Sequence, residues 1–129
     1  MDFIRSHGTK QANLPFSDAV RVGEVLYLSG AMGVLPGTMQ LAPGGLEAET
    51  RQMFQNIART LEQNDLSFDN VFKCMVVLAD MKEWPAFNKI YLEYFDKPDR
   101  LPARSAFGAN ALALGGRVEM EVVAHFGGK

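Results

Sequence analysis

The sequence predicts an α+β fold in which a mixed sheet carries two helices on one face. Three observations support this. Apolar residues recur at helical spacing over residues 46–64, a nearly continuous apolar run follows at 71–78, and polar and apolar residues alternate over 117–126. The run at 71–78 is typical of a strand covered on both faces. The order of elements is therefore β-β-loop-α-β-α-β-β, with helices returning the chain between strands.

The N-terminal third of the chain predicts a hairpin between less regular segments. Residues 1–15 are polar and fit an extended arm or a short edge strand. Two β-rich runs, at 16–22 and 25–29, flank a turn that contains Gly23. Residues 31–45 are rich in glycine and proline, which indicates a loop with at most one short strand, and they lack a phosphate-binding glycine motif.

Both predicted helices are amphipathic. The first covers 46–64 and the second covers 80–94, where Asp80 followed by Glu83 resembles a capping box. Each helix has one apolar stripe, so both are expected to pack on the same sheet, while Asn88 points away from the stripe of the second helix. Strands are expected at 103–109 and 117–126. The other sheet face then needs a cover, and self-association would supply it.

Composition limits the functional classes. The 129 residues are 47% apolar and 22% charged, as expected for one globular domain spanning residues 1–129. The net charge is −2 and the 13 basic residues are scattered, which argues against a nucleic-acid partner. The single cysteine, Cys74, fits a reducing compartment. Neither a signal-peptide core nor an apolar run of membrane-spanning length is present, so a soluble cytoplasmic protein without membrane contact is expected.

Candidate chemistry concentrates in the last quarter of the chain. Arg104 follows Pro102-Ala103, so it lies on extended backbone, where its guanidinium could bind a carboxylate or phosphate. Glu119 and Glu121 share one face of the last strand and could divide acid and base roles. From the pattern alone, a surface ion pair and a solvated pair of carboxylates are the more frequent readings. No metal-ligand spacing and no Ser-His-Asp arrangement is present.

Five short motifs, taken in order, resemble the RidA (YjgF) family of reactive-imine deaminases, also called L-PSP-like. The most specific are Pro102-Ala103-Arg104-Ser105 and the strand that begins Val118-Glu119-Met120-Glu121. Val25-Leu26-Tyr27-Leu28-Ser29-Gly30 resembles the strand end that the family closes with Ser-Gly. Gln55-Asn56-Ile57 and Phe87-Asn88-x-x-Tyr91 resemble the motifs of its two helices. The resemblance spans nearly the whole chain.

This resemblance implies a chorismate-mutase-like fold with a six-stranded mixed sheet and two helices on one face. It also implies a homotrimer with ligand clefts between subunits. The implied reaction is hydrolysis of reactive 2-imino acids to 2-keto acids and ammonia, without a cofactor or metal. Those imines tautomerise from enamines such as 2-aminoacrylate and 2-aminocrotonate.

The resemblance also assigns roles by position. Arg104 would grip the carboxylate of a small substrate, and Glu119 would position or deprotonate the attacking water. Backbone groups of Gly30 and Ala106 would contact the substrate. Two further side chains would line the cleft, with the asparagine contributed by the neighbouring subunit: Ser29 and Asn88. Holding carboxylate and water in line can supply much of the rate, because an imine carbon is already electrophilic.

Three positions depart from the family pattern. Phe16 stands where deaminating members have a tyrosine, Ala106 where they have a cysteine, and Ala31 where a glutamine is common. The missing hydroxyl at Phe16 leaves a second hypothesis open, in which the protein is a trimer that binds small metabolites without turnover. A third hypothesis is an endoribonuclease or translation inhibitor, which the acidic balance opposes.

Overall fold

The computed structural model describes residues 1–127, which form seven strands and three α-helices. The strands are β1 (Asp2–Ile4), β2 (Ala19–Val22), β3 (Val25–Leu28), β4 (Ala31–Met32), β5 (Val71–Leu78), β6 (Ala103–Gly108) and β7 (Val118–His125). The helices are α1 (His7–Gln11), α2 (Gly45–Glu62) and α3 (Trp84–Tyr94).

The strands form one mixed sheet in the order β1-β2-β3-β7-β5-β6, and β4 also pairs with β7. The pair β5–β6 is parallel, and the other pairs are antiparallel. The last strand of the chain therefore lies in the middle of the sheet, and β6 lies at its edge. The α+β class and the mixed sheet that the sequence predicts are confirmed.

Four details differ from the sequence-based expectation. The sheet has seven strands, whereas the predicted order of elements has five and the resemblance implies six, because the first arm forms β1 and the glycine-rich loop begins with the two-residue β4. The short helix α1 was not predicted. The strand expected from residue 16 begins at Ala19. Asp80 caps a 3-10 turn, where its carboxylate accepts from the Lys82 amide at 2.9 Å, and α3 starts later because Pro85 suits its first turn.

The core lies between the sheet and the helices α2 and α3. Alternate residues of β5 and β7 are buried against the helices, as the alternation in the last strand predicts. Phe54 of α2 is fully buried and stacks on Tyr94 of α3 with 4.2 Å between ring centroids. Further aromatic rings surround Phe54: Phe68, Phe87, Tyr91 and Phe95. This cluster fixes α3 relative to α2 and so positions the side chains that α3 offers to the sheet edge.

A buried carboxylate joins α2 to the start of β7. Glu49 is 5% exposed, and its Oε1 accepts from the Arg117 amide at 2.9 Å. Glu49 therefore links the N-terminal part of α2 to the residue that precedes β7. The Arg117 guanidinium binds Glu83, just before α3. These contacts anchor the beginning of β7 to both helices.

The sheet face that carries no helix is apolar and open; we call it the open face. Phe3 pairs with Val20, Val20 with Tyr27, and Tyr27 with Val123, so these four side chains share it. Tyr27 is 50% exposed, and Phe107, near the opposite edge, is 47% exposed. A contiguous apolar surface of this kind typically marks an interaction site in a soluble protein. Within residues 1–127, no helix is long and apolar enough to cross a membrane.

Candidate active site

Arg104 lies on the helix-bearing side of the sheet, at the edge strand β6. Its Cα pairs with that of the buried Cys74 on β5, which places both side chains towards the helices. The Arg104 Nη1 donates to Asn88 Oδ1 at 2.9 Å, and its guanidinium carbon lies 4.7 Å from the centroid of the Tyr91 ring. Asn88 and Tyr91 are three residues apart on α3 and therefore neighbours on its surface.

Arg104 makes no ion pair with a carboxylate within residues 1–127. The surface ion pair that the bare pattern favours is therefore not formed in this part of the chain. A guanidinium has five N–H donors, and the bond to Asn88 uses one of them. The remaining donors can bind a carboxylate bidentately. Ala106 pairs with Val76, so it lies on the same side of the sheet, two residues further along β6.

Glu119 lies on the open face of the sheet. It pairs with Val77 on one side and with Met32 on the other, and it is partly buried. A side chain at position 30 would overlap the Glu119 carboxylate, since a Cβ built on Gly30 collides with Oε2 and lies 3.1 Å from Cδ. Gly30 is thus required for close approach of the carboxylate. A plain turn, which spacing alone favours, does not explain this glycine.

The backbone around Gly30 makes room for that carboxylate. Tyr27 pairs with Val123, and Ala31 pairs with Met120. Tyr27 and Ala31 are four residues apart, whereas their partners on β7 are three residues apart. This extra residue is a β-bulge between β3 and β4. Bulges bend the strand locally, and here the bend falls at the Ser-Gly pair that resembles the family motif.

The pKa of Glu119 is raised, first by burial of its carboxyl group and second by the negative charge of Glu121. Glu121 is exposed and points to the same face. The two carboxylates therefore differ in environment, as acid and base roles would require. A carboxyl group with a raised pKa holds a proton more readily near neutral pH, and as a carboxylate it is a stronger base.

Phe16, Ser29 and Gly30 line a cleft of about 710 Å³. The cleft lies between the N-terminal segment, the second half of α2 and the loop after β4. Phe16 is 47% exposed. The Ser29 hydroxyl donates to the Ser17 carbonyl at 2.6 Å, so its proton is used inside the fold and only its acceptor capacity remains.

One chain does not bring Arg104 and Glu119 together. They pair with Cys74 and Val77 on opposite edges of β5, three residues apart, which corresponds to roughly 10 Å along the strand. Because three is odd, their side chains lie on opposite faces of the sheet. Asn88, expected from the neighbouring subunit, instead hydrogen-bonds Arg104 within the same chain. The candidate residues thus form two half-sites.

The Arg104 half-site contains Arg104, Asn88 and Ala106. In the Glu119 half-site Gly30 lies against the Glu119 carboxylate, and Gly30 also lines the neighbouring cleft with Ser29 and Phe16, a cleft that Glu119 itself does not line. Sequence reasoning overlooked Tyr91, which lies under the arginine. The signal for it was available, because Tyr91 follows Asn88 at the spacing of one helix face. Cys74 lies beside Tyr91 and Arg104. Burial raises the pKa of its thiol to about 11, which disfavours a nucleophilic thiolate. Residues 1–127 contain no cluster of three or more His, Cys, Asp or Glu that could hold a metal ion.

Fold and geometry together describe an α+β protein that presents a guanidinium on one sheet face and a partly buried carboxylate on the other. Residues 8–126 match a family model described as endoribonuclease L-PSP. The goat (Capra hircus) protein named 2-iminobutanoate/2-iminopropanoate deaminase is 42% identical over 85% of this chain and 79% of its own length. The human protein of the same name is 39% identical over the same shares of the two chains.

A solved structure extends the similarity to nearly the whole chain. The crystal structure of RidA from an Antarctic Psychrobacter has a TM-score of 0.82 and 33% identity, covering 97% of this chain and 95% of its own. The chain therefore belongs to the RidA (YjgF) family, whose sequence model carries the L-PSP description.

Replacing Glu119 by glutamine tests the environment of this carboxyl group. Its folded pKa lies above its ordinary value of about 4.3, so the folded state binds the proton more tightly and loses stability as pH rises through the folded pKa. In the dissociated chain, where no neighbouring guanidinium faces the carboxylate, Glu119→Gln is expected to raise the urea midpoint at pH 7, at fixed protein concentration. Well below pH 4 the two proteins should converge.

Glu62→Gln is the control, since Glu62 is an exposed carboxylate at the end of α2. It should change the urea midpoint at pH 7 by less than Glu119→Gln does. The raised pKa means that ionisation of Glu119 destabilises the folded protein. A Glu119→Gln protein that is less stable than wild type at pH 7 would contradict this.

Proposed function

We propose that this chain is a hydrolase that deaminates reactive 2-imino acids, and the enamines that tautomerise to them, to 2-keto acids and ammonia. The observation that carries this is the state of Arg104. Its guanidinium is held by two side chains of α3, yet within residues 1–127 it has no carboxylate partner. Relatives of 39–42% identity carry the deaminase name, which supports the same reaction.

The substrate would bind through its carboxylate to the free donors of Arg104. A guanidinium and a carboxylate match as two parallel charge-assisted hydrogen bonds, which fixes the plane of the substrate as well as its position. Within residues 1–127, the outer edge of β6 has no strand partner, so backbone groups near Ala106 can contact the ligand.

Glu119 would handle the protons of the reaction. Water adds to the carbon of the protonated imine and gives one proton to the Glu119 carboxylate, which leaves a neutral carbinolamine. That proton then passes to the carbinolamine nitrogen, ammonia leaves, and the hydroxyl group loses its own proton to become the keto group. A carboxylate with a raised pKa is suited to accept the first proton and to return it to the leaving amine. The imine carbon needs no covalent activation, so holding water and substrate in line is the main contribution.

The complete site requires a second copy of the chain. One chain separates Arg104 from Glu119 on opposite faces, so we propose that the Arg104 half-site of one subunit meets the Glu119 half-site of its neighbour in a homotrimer. The apolar open face, which includes Tyr27 and Phe107, supports this assembly. A small carboxylate substrate would bind in the cleft between subunits. The unpaired, buried Cys74 fits a cytoplasmic setting.

A coupled assay tests the reaction. A threonine dehydratase generates the enamine in situ, and release of 2-keto acid is followed with and without this protein. Arg104→Ala removes two charge-assisted hydrogen bonds to the carboxylate and should lower kcat/KM about 100-fold or more. Arg104→Lys should recover only part of the loss, because lysine keeps the charge without the planar fork.

The matched control is Arg51→Ala. Arg51 lies on the surface of α2 and forms exposed ion pairs with Glu47 of the same helix and Glu93 of α3, so its loss should leave kcat/KM within about twofold of wild type. Absence of acceleration by the wild-type protein, or equal acceleration by the Arg104→Ala protein, would overturn the proposed function.

Two observations favour a second candidate, a protein that binds small metabolites without turnover. Phe16 has no hydroxyl, and the Ser29 hydroxyl already donates within the fold. This candidate predicts calorimetric binding of a 2-keto acid without acceleration of imine hydrolysis. Phe16→Tyr would then produce acceleration that wild type lacks. RNA cleavage abolished by Arg104→Ala would instead support the endoribonuclease reading, which the net charge of −2 opposes.

A charge on the open face tests the assembly. Tyr27→Glu places a carboxylate in the proposed interface and should convert the three-chain mass of wild type into that of one chain, as measured by light scattering. Deaminase activity should fall with the mass. Gln55→Glu is the control, because Gln55 is exposed on α2, away from the open face and outside the Arg104 half-site. A wild-type protein with the mass of one chain would contradict the trimer.

A further inference from the structure

We infer that Tyr91 is a positioning residue that holds the Arg104 guanidinium by its ring face and leaves the N–H edge of that group free for the substrate carboxylate. This inference rests on the proposed function, since it assigns Arg104 to carboxylate binding. It adds that the Tyr91 ring holds the Arg104 side chain, a role that an acidic side chain would otherwise fill.

The geometry supports a fixed stack. The Arg104 guanidinium carbon lies 4.7 Å from the centroid of the Tyr91 ring, within the range of a cation–π interaction. Tyr91 is only 5% exposed, so its ring is part of the core and not a mobile surface group. Three phenylalanine rings hold it at centroid distances of 4.7 to 6.3 Å: Phe54, Phe87 and Phe95.

The Tyr91 hydroxyl has no evident part in the interaction with Arg104. The Oη atom is buried beside the Cys74 thiol and makes no hydrogen bond of ordinary geometry among the residues described. Burial raises the pKa of Tyr91, and the adjacent Cys74 thiol raises it further, so the phenol stays neutral and supplies no charge to Arg104. The aromatic face is therefore the part of Tyr91 that acts on the guanidinium.

The arrangement solves a problem that an acidic partner would create. A carboxylate beside Arg104 would occupy the donors that the substrate needs, whereas an aromatic ring contacts the plane of the guanidinium. Asn88 accepts one hydrogen bond and sets the rotation of the group about its axis. These two contacts from α3 order the Arg104 side chain before the substrate binds. Less conformational entropy is then lost on binding, which favours affinity.

The test compares three variants by two readouts. Tyr91→Phe keeps the ring face and should match wild type in KM and kcat. Tyr91→Leu removes the face and should raise KM about three- to thirtyfold with little change in kcat, because the lost contact serves binding in both ground and transition states. Tyr94→Leu is the matched control, since the Tyr94 ring stacks on Phe54 in the same core and has no stacking contact with Arg104.

The second readout does not depend on activity. The Arg104 Nε–H signal, assigned by its loss in Arg104→Lys, should be shifted upfield by the ring current in wild type and in Tyr91→Phe. It should move to an ordinary position in Tyr91→Leu and stay in place in Tyr94→Leu. If deaminase activity is absent altogether, this signal still decides whether Tyr91 holds Arg104.

A graded variant covers the case in which Tyr91→Leu fails to fold. Phenylalanine with zero, three or five ring fluorines at position 91 keeps the ring while weakening the negative potential of its face. KM should rise with the number of fluorines. The inference is overturned if the Arg104 signal is unshifted in wild type, or if KM is indifferent to fluorination, or if Tyr94→Leu raises KM as much as Tyr91→Leu.

Discussion

The double pairing of β5 is the constraint on which the arrangement of this protein depends. β5 pairs with β6 in parallel on one edge and with β7 antiparallel on the other. The two registers decide which face each candidate residue occupies: Arg104 shares the face of the buried Cys74, and Glu119 shares the face of Val77. A slip of one residue in either register would move a whole strand to the wrong face. The alternation of β7 opposes such a slip, because its buried face is wholly apolar and its other face carries Glu119 and Glu121.

Because the two half-sites are separated in one chain, the proposed self-association would complete the active site as well as cover the open face. An apolar face that covered only the sheet would stabilise an assembly without affecting catalysis. Here the same face carries the partly buried Glu119 and the exposed Glu121, so assembly would bring a carboxylate towards the guanidinium of a neighbour. Arg104 itself is prepared within one chain by Asn88 and Tyr91. The proposed catalyst is therefore half preorganised in each subunit and completed by contact between subunits.

The sequence was sufficient for the long elements, where apolar periodicity is strong. It predicts the extents of α2 and β5 and the two faces of β7, because burial follows that periodicity directly. The predicted cover on both faces of β5 is not formed within residues 1–127, where only alternate β5 residues are buried. Short elements such as α1 and β4 have too few residues to show a period. The close approach at Gly30 was not predictable, because it depends on where the Glu119 carboxylate lies across a bulge. The opposed faces of Arg104 and Glu119 also needed the strand pairing, which no local pattern specifies. The contact of Tyr91 with Arg104 needed the packing of α3 against β6.

Mixing two inactive variants tests the shared site most directly. Arg104→Ala and Glu119→Ala, each inactive alone, are unfolded together and refolded at equal amounts. If each site combines an arginine from one subunit with a glutamate from its neighbour in a trimer, about one quarter of the sites are intact by chance and about a quarter of wild-type activity returns. If both residues act within one chain, no intact site can form. Activity that stays at the level of the separate variants, in a mixture shown to have exchanged subunits, would contradict the account.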